Sequence, residues 1–397
     1  MSDDLRVLHV IGSLGIGGAE QWLVALLRHF RDTRHQRTFD VRTDILIATG
    51  NAGPLDDIAR SLGARLHFMK YSGRNLTAFT RSFRALLRSE RYHALHHHQD
   101  HSAGTHMLLG SGLLPAVRAV SYHNPLVSRA AASASPVQKL AAGIGACVVR
   151  RQATHILGTS SDTLVEYGVD QVSVPAHIES RALHCGFDVG RFRGSRETVR
   201  SALLASMGWA PSSKLLLFVG RLYSHAQHNQ KNPYFAVEVA AACMRRDPDV
   251  RMLLVGGAAD PAGHANMENH IRALGLTDRF GILGQRSDIP DLMRAADILL
   301  FPSFSEGLGM VAVEAQAAGL PVLASSTVPK EVVVVPEILR FLALQQGAKV
   351  WADSVLEMLA APKPDRDACN DRTAASPYAI QNSADALLGV YLSGNFK

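Results

Sequence analysis

The sequence of 397 residues contains no long apolar run and only four cysteines. A membrane-spanning helix needs about 18 consecutive apolar residues, and no stretch approaches that length. The first residues, MSDDLRVLHVIGSLG, carry acids where a secretory signal has a basic segment, and their apolar run is short. We therefore expect a cytoplasmic protein, with peripheral binding to the inner face of the plasma membrane as an open alternative.

The cysteines and histidines do not indicate a metal site. Cys147, Cys185, Cys243 and Cys369 lie far apart and form no CxxC pair, so reduced thiols are expected. His96, His97, His98 and His101 cluster at the end of a predicted strand, where His96 and His98 share a face. No Cys or Glu completes a ligand set there, so we expect neither a metal nor another cofactor. We expect one or two of these histidines to line a ligand cleft, with His123 after another strand as a further candidate, and the others to be ordinary structural histidines.

Aromatic residues make up 6% of the sequence, and neither a long basic run nor an aromatic RNA-binding motif occurs, so no nucleic-acid partner is expected. The net charge of +6 is uneven. Residues 1–190 hold 20 Lys+Arg against 15 Asp+Glu, or +5, and residues 191–397 hold 21 against 20, or +1. This excess favours an anionic partner for the first half, such as a phospholipid surface or a phosphorylated acceptor.

Arginines recur on one predicted helix of the first half, at Arg81, Arg84, Arg88 and Arg91, with Phe79, Phe83, Leu86 and Leu87 between them. Such a basic amphipathic helix can lie on an anionic membrane. The alternative is a solvated basic face on a helix that packs against a sheet.

Short apolar runs alternate with helical patterns along the whole chain. Strands are predicted at 6–12, 43–49, 65–69, 93–98, 116–123, 155–160, 214–220, 250–256, 279–284, 296–302 and 320–325, and helices at 19–30, 54–63, 77–90, 232–246, 266–275, 288–296 and 376–393. This alternation predicts doubly wound, parallel α/β sheets. The pattern restarts after a polar stretch at 186–213, so we expect two Rossmann-like domains, 1–190 and 191–375, followed by a C-terminal helix at 376–397. Ligands of such sheets bind beyond the carboxyl ends of the strands, in a cleft between the domains.

Three segments carry candidate binding residues. The loop Gly12-Ser13-Leu14-Gly15-Ile16-Gly17-Gly18 leads from the first strand into a helix, where free amides favour an anion, although its spacing is not the GxGxxG of nicotinamide cofactors. Gly220-Arg221-Leu222 and Lys231-Asn232-Pro233 place two cations beyond a strand, as a diphosphate clamp does. The alternative for the glycine loop is a tight turn that binds no ligand. The alternative for Arg221 and Lys231 is that they are two ordinary surface cations.

The third segment, PSFSEGLGMVAVEAQAAG (302–319), places Glu306 and two glycines at a helix start and Glu314 in an apolar helix. A carboxylate at such a position needs hydrogen-bond partners, which sugar or ribose hydroxyls would supply. An arginine or backbone amides in the core are the alternative partners.

With these motifs the chain resembles the GT-B glycosyltransferases of family 4, or glycosyltransferase group 1. The likeness is carried by FVGRL and KNP, by LLVGG, by the run LGQRSDIPDLMRAADILLFPSFSEGLGMVAVEAQAAGLPVLAS with its E-x7-E spacing, and by GSLGIGGAEQ and GFDVGRF. The run EAQAAGLPVLASSTVPKEV is most similar to the branch that makes capsules and exopolysaccharides. The spacer YSHAQHNQ before Lys231 is longer than the family's usual one, which puts the position of Lys231 in question.

The resemblance implies a role for each matching residue. Arg221 and Lys231 would bind the donor diphosphate, Glu306 would contact the donor sugar, and Glu314 would hold the ribose. His123 would lie near the C6 side of the sugar and is counted with Arg221, Lys231 and Glu306 as catalytic. The other donor contacts would be Gly17, Gly18, Gly220, Gly256, Gly307, Leu308 and Gly309, with the backbone at Arg286 and Ile289 meeting the base.

The resemblance also implies a retaining transfer of a sugar, from a UDP-sugar in our preference, to a saccharide or lipid-linked acceptor in cell-surface polysaccharide synthesis. No DxD-type acidic pair follows a strand, so a catalytic divalent metal is not expected. The last helix would cross back onto the first domain. Two other functions remain open: a nucleotide-sugar 2-epimerase of the same fold, and a non-catalytic subunit that binds a nucleotide sugar.

Overall fold

A computed structural model of the chain describes residues 4–72, 74–126, 136–224 and 230–394. It divides into two compact units, one formed by Met1–Asp188 with Pro377–Lys397 and the other by Val189–Ser376. Each unit is built on its own parallel sheet with helices on both faces. The predicted class, two Rossmann-like doubly wound sheets, is confirmed.

The sheet of the first unit has seven parallel strands in the order β3-β2-β1-β4-β5-β6-β7. They are β1 Leu5–Ile11, β2 Val41–Ile47, β3 Arg65–Phe68, β4 Ala94–His97, β5 Val117–Tyr122, β6 His155–Gly158 and β7 Glu179–Ala182. Its helices are α1 Gly18–Asp32, α2 Asp56–Ser61, α3 Leu76–Glu90, α4 Ala103–Gly110, α5 Pro136–Gln152, α6 Ser161–Glu166 and, from the C-terminal segment, α14 Ile380–Leu392.

The sheet of the second unit has six parallel strands in the order β10-β9-β8-β11-β12-β13. They are β8 Lys214–Val219, β9 Val250–Val255, β10 Phe280–Gly284, β11 Ile298–Phe301, β12 Val322–Ser325 and β13 Leu339–Leu342. The helices are α7 Arg196–Ser206, α8 Pro233–Met244, α9 Gly263–Ala273, α10 Ile289–Ala295, α11 Met310–Ala317, α12 Gly347–Ala360 and α13 Arg366–Ala374.

The central strands are apolar because helices cover both of their faces. In β1, Leu8 and Val10 pack with Phe83 of α3, whereas Ile11 packs on the other side of the sheet with Leu23 of α1. In the second unit Phe218 of β8 belongs to one buried cluster with residues of α8 and α12. Burying both faces of a strand in this way is what produces a continuous apolar run in a parallel sheet.

The final helix, α14, belongs to the first unit. Trp22 of α1 donates a hydrogen bond from Nε1 to Ser383 Oγ at 3.0 Å, and the amide of Phe187 donates to the carbonyl of Tyr378 at 2.9 Å. Tyr391 is buried in the same unit. The expected return of the chain to its first domain is therefore present.

Candidate active site

The order of the strands in the second unit reverses between β8 and β11, which lie side by side. The segment that follows β8 contains Gly220 and Arg221, and the segment that follows β11 contains Glu306. Because both strands are parallel, both segments leave the same edge of the sheet. A reversal of this kind is where open α/β sheets bind ligands.

Lys231 and Glu306 form an ion pair at this point. The Lys231 Nζ donates to both carboxylate oxygens of Glu306, at 2.7 and 2.8 Å. The lysine side chain is 24% exposed and the glutamate 6%, so the pair is mostly shielded from water but can be reached from outside. Lys231 Nζ also lies 5.2 Å from the ring centre of Phe301, the last residue of β11. The aromatic face adds a second attraction for the ammonium group.

The backbone around the pair holds Lys231 in place despite the long spacer, most of which (225–229) lies outside the described residues. Asn232 adopts a left-handed conformation with φ of 55° and is the N-cap residue directly before α8. The amide of Phe304 donates to the carbonyl of Gln230 at 2.8 Å, and Gln230 Nε2 donates to the carbonyl of Ser305 at 2.7 Å. The end of the spacer is thus tied to the loop that carries Glu306.

Two of the predicted glycines are required by close contacts. Gly256 has φ of 150°, and a Cβ there would lie 2.0 Å from the carbonyl oxygen of Gly220. Gly309 has φ of 101°, and a Cβ there would lie 2.9 Å from the ring of Phe301. A Cβ on Gly220 would lie 3.1 Å from the Lys231 stem, so the lysine packs over this glycine. Gly307 and Leu308 are buried in the loop just before α11.

Glu314 lies on α11 and is half-buried as a whole residue. Among the described residues no group donates a hydrogen bond to its carboxylate, so neither of the partners that the sequence left open, an arginine or a backbone amide, supplies one. Burial raises its pKa to about 7, against the opposing effect of the positive charges of Lys231 and Arg191. The carboxyl group therefore titrates near neutral pH and has unused hydrogen-bonding capacity.

The two arginines assigned to the donor are exposed. Arg221 has its guanidinium carbon 5.9 Å from the ring centre of Tyr223 and, among the described residues, forms no ion pair. Arg286 is paired with Asp288 at 2.6 Å, just before Ile289 begins α10. The structure thus brings Lys231 together with Glu306 and leaves Arg221 facing solvent beside them.

The remaining predicted residues lie in the first unit. Gly17 is the N-cap of α1 and Gly18 its first residue. A Cβ on Gly17 would lie 2.4 Å from a carboxylate oxygen of Glu20, whereas one on Gly18 would meet no atom within 4 Å. His123 follows β5, and its Nε2 lies 3.0 Å from His98 Nδ1.

His96 in β4 and His98 directly after it belong to a buried cluster that includes a residue the sequence analysis missed. His9 of β1 joins His96 and His98, and one ring nitrogen of each lies within 4.8 Å of the others. Strand register brings them together, since His9 pairs with His96 across β1 and β4. His101 lies instead against Tyr122, with 3.1 Å between the ring Nδ1 and the hydroxyl. The expectation that no metal binds here stays a prediction.

Two further residues near the ion pair were not predicted. Phe301 and Gln230 contact Lys231 or the Glu306 loop, yet neither belongs to a charged or glycine motif. The only signal was their position, at a strand end and directly before the KNP element.

The basic helix α3 has its apolar face buried, because Phe79, Phe83, Leu86 and Leu87 all lie in the core of the first unit. Arg84 Nη1 donates to the carbonyl of Ser111 at 2.8 Å, while Arg81, Arg88 and Arg91 are exposed. Any contact with an anionic surface must therefore use the arginines and not the apolar face. None of the helices described here is long and apolar enough to cross a membrane.

Comparisons with known proteins agree with this architecture. Residues 200–375 match the family "Glycosyl transferases group 1". The chain is 27% identical over 398 residues to a Bacillus subtilis (strain 168) protein named "Putative glycosyltransferase EpsF", covering 98% of this chain and 97% of that one. It is 32% identical over 226 residues to the D-inositol 3-phosphate glycosyltransferase of Mycobacterium tuberculosis (strain F11), a match covering 55% of this chain and 44% of that protein.

Among solved structures, Anabaena Alr3699/HepE in complex with UDP superimposes with a TM-score of 0.77 at 18% identity, over 98% of this chain and all of that one. The same protein in complex with UDP-glucose gives a TM-score of 0.75 at 17% identity, over 98% of this chain and 99% of that one. At this identity the likeness shows the fold. The chain therefore carries a group 1 glycosyltransferase domain over residues 200–375 and has the GT-B fold.

Proposed function

We propose that the protein transfers a sugar, with retention of configuration, from a nucleotide-diphosphate sugar to a saccharide or lipid-linked acceptor in the synthesis of a cell-surface polysaccharide. UDP is the proposed nucleotide, because HepE was solved with UDP and with UDP-glucose. The observation that carries the proposal is the Lys231–Glu306 pair at the strand reversal of the second unit. It supplies a cation for a diphosphate and a carboxylate for sugar hydroxyls at one place.

In the proposed complex the diphosphate takes the place of Glu306 as the partner of Lys231. The ammonium group is already held at this place by the carboxylate and by Phe301, so the lysine exchanges its carboxylate partner for the phosphate when the donor arrives. Arg221, exposed nearby, would bind the same diphosphate with its planar fork. Such preorganised charge is most effective where negative charge grows in the transition state.

Once the diphosphate has displaced Glu306 from Lys231, the carboxylate of Glu306 can bind the sugar. Glu306 would accept hydrogen bonds from hydroxyls of the donor sugar, beside the amides of Gly307, Leu308 and Gly309. Glu314, which has no hydrogen-bond donor among the described residues, would accept from the ribose hydroxyls. Partners of this kind offset the cost of burying a carboxylate.

In the proposed reaction the bond between the anomeric carbon and the phosphate oxygen breaks, and the electron pair stays on the leaving diphosphate. The acceptor hydroxyl oxygen forms its bond to the same face of the anomeric carbon. Its proton passes to an oxygen of the leaving phosphate. Lys231 and Arg221 stabilise the charge that develops on that phosphate, and we expect the reaction to need no divalent metal.

The test is a transfer assay with a panel of UDP-sugars and saccharide or lipid-linked acceptors, with and without a chelator. We expect turnover that depends on the acceptor, survives the chelator and falls by at least about 100-fold in Lys231→Ala, since one lost charge contact is worth roughly 3 kcal/mol in the transition state. Lys349→Ala, an exposed lysine on α12, is the matched control. Conversion of the donor sugar without acceptor would indicate an epimerase instead, and donor binding without turnover would indicate a non-catalytic subunit.

A further inference from the structure

A continuous line of hydrogen-bonding groups in the first unit reaches from His123 into the buried core. In order, it contains His123, His98, His9, Tyr391, His96 and Ser121, and these six residues are called the histidine chain. The distances are 3.0 Å from His123 Nε2 to His98 Nδ1, 2.9 Å from His98 Nε2 to His9 Nδ1, 3.5 Å from His9 Nε2 to the Tyr391 hydroxyl, 2.7 Å from that hydroxyl to His96 Nδ1, and 2.7 Å from His96 Nε2 to Ser121 Oγ.

The rings meet edge to edge and not face to face. The planes of His9 and His98 differ by 10°, and their centres are 5.2 Å apart. That separation is about the sum of the 2.9 Å between their nitrogens and the two ring radii, so both nitrogens lie between the two centres. His98 and His123 repeat the arrangement, with 22° between planes and 5.2 Å between centres. This is the geometry of direct N–H···N hydrogen bonds.

Each imidazole of the buried cluster is neutral. Burial lowers the pKa of His9 to about 3 and holds the pKa values of His96 and His98 well below their usual range. Burial also raises the pKa of Tyr391 well above its usual value, so the hydroxyl keeps its proton. A neutral imidazole has one nitrogen that donates and one that accepts, and a hydroxyl can do both.

Between two neutral imidazoles the direction of one hydrogen bond therefore fixes the direction of the next, and the Tyr391 hydroxyl passes this direction on when it accepts from one histidine and donates to the other. If His98 donates from Nε2 to His9, its Nδ1 must accept from His123, and His9 must donate from Nε2 to Tyr391. If His98 donates from Nδ1 to His123, every bond reverses. Each link between rings joins the Nε2 of one histidine to the Nδ1 of the next, directly or through the tyrosine hydroxyl.

We infer that His123, His98, His9 and His96 share one tautomer, all Nε2–H or all Nδ1–H, and that Tyr391, His9 and His98 are positioning residues that set the tautomer of His123. The second half rests on the proposed function, for which the family resemblance counts His123 as a catalytic residue. The shared tautomer decides whether the Nδ1 of His123 donates a hydrogen bond or accepts one. Whether the Nδ1 of His123 donates or accepts is thus coupled to Tyr391 on α14.

The test is the tautomeric state of each histidine, read from ring nitrogen shifts and couplings in NMR spectra of the full chain labelled with ¹⁵N-histidine. Single His→Gln variants assign the signals. We expect the four histidines to carry their proton on the same ring position at pH 7. A mixed set of tautomers among the four overturns the inference.

A second measurement uses Tyr391→Phe, which removes the hydroxyl that joins His96 to His9 but keeps the ring. We expect the ring nitrogen signals of His123 to move although residue 391 does not contact it. Tyr92→Phe is the matched control, because its buried hydroxyl donates to Asp44 at 2.6 Å outside the histidine chain. Unchanged His123 signals in a folded Tyr391→Phe variant overturn the inference, and if that variant fails to fold, the wild-type tautomers alone decide.

Elemental analysis of the purified protein completes the test. A stoichiometric transition metal lost on His9→Gln overturns the inference, because metal bonds would replace the shared protons. If the four histidines share a tautomer but the protein turns over no nucleotide sugar, the hydrogen-bond coupling is supported and the proposed function is contradicted. The NMR spectra therefore test the coupling, and the transfer assay tests the proposed function separately.

Discussion

Lys231 illustrates how one residue serves both stability and the proposed chemistry. Its ion pair with Glu306 combines a partly exposed ammonium with a carboxylate that is 6% exposed. Removing one member of a buried pair costs about 3–5 kcal/mol, because the other charge is left without a partner. Because the lysine is partly exposed, we expect the cost of removing it to lie at the lower end of that range or below it.

We predict that Lys231→Ala lowers the free energy of unfolding by about 1–3 kcal/mol, since Glu306 then remains buried and unpaired. The double variant Lys231→Met/Glu306→Gln should regain most of that loss while staying inactive. Denaturant unfolding at pH 7 measures both. A double variant no more stable than Lys231→Ala would contradict the assignment of the cost to the unpaired carboxylate.

Glu314 should make the second unit less stable as the pH rises. Its pKa is about 7 in the folded chain against 4.5 for an ordinary glutamate, so the folded state binds the proton more tightly. The free energy of unfolding therefore falls as the pH rises from about 4.5 through 7, by at most about 1.4 kcal/mol per pH unit.

We predict that Glu314→Gln removes this fall. The free energy of unfolding of the variant minus that of the wild type should therefore increase as the pH rises from 5 to 8. Unfolding curves at several pH values measure the difference. The effect should shrink when a nucleotide sugar is bound, because ribose hydroxyls stabilise the ionised carboxylate. A difference that does not vary with pH would show that Glu314 is not a titrating buried group.

At the scale of elements, α14 shows why a helix far along the chain can be structural for the first unit. Leu387 is fully buried, whereas Leu392 at the end of the same helix is 37% exposed. Both are leucines on one helix, so comparing them measures what burial of a leucine contributes to the free energy of unfolding.

We predict that Leu387→Ala lowers the free energy of unfolding by about 2–5 kcal/mol, as loss of a buried leucine does. Leu392→Ala should cost less than about 1 kcal/mol, since its side chain is partly in water. Thermal or denaturant unfolding measures both variants. Equal losses at the two positions would contradict the packing of α14 against the first unit.

The strands that the sequence analysis missed, β7 and β13, are edge strands of their sheets. Their sequences, ESRA and LRFL, are short and mix charged with apolar residues, and β13 has no fully buried position. An edge strand pairs on one side only and needs no continuous apolar run. The central strands are buried on both faces, and that is why their pattern predicted them.

Across the whole molecule, the two units should respond to acid in opposite ways. The first unit holds His9, His96, His97, His98 and His106, whose pKa values burial lowers. A lowered histidine pKa means that the unfolded state binds more protons, so stability present above about pH 6.5 is lost as the pH falls below it. The second unit, by contrast, gains stability over the same range from Glu314.

We predict that lowering the pH from 7 to 5 destabilises the first unit steeply, by up to about 1.4 kcal/mol per pH unit for each of these histidines. Hydrogen exchange followed by mass spectrometry, resolved by peptide and corrected for the pH dependence of intrinsic exchange, measures the two units separately. We expect protection to fall first in β1, β4 and α14. Protection retained there at pH 5 would show that these histidines are not neutral groups buried in the native state.

The local sequence pattern determined the α/β class, the central strands and the segments that carry Arg221, Lys231, Glu306 and Glu314, because burial on both faces and glycine turns leave a mark in neighbouring residues. Only the tertiary structure decided that Lys231 pairs with Glu306, 75 residues away, and that His9 meets His98, 89 residues away. Such contacts depend on strand order and register, which bring distant residues to one sheet edge. The link from Tyr391 to His96 spans 295 residues, and it exists because the chain returns to its first unit.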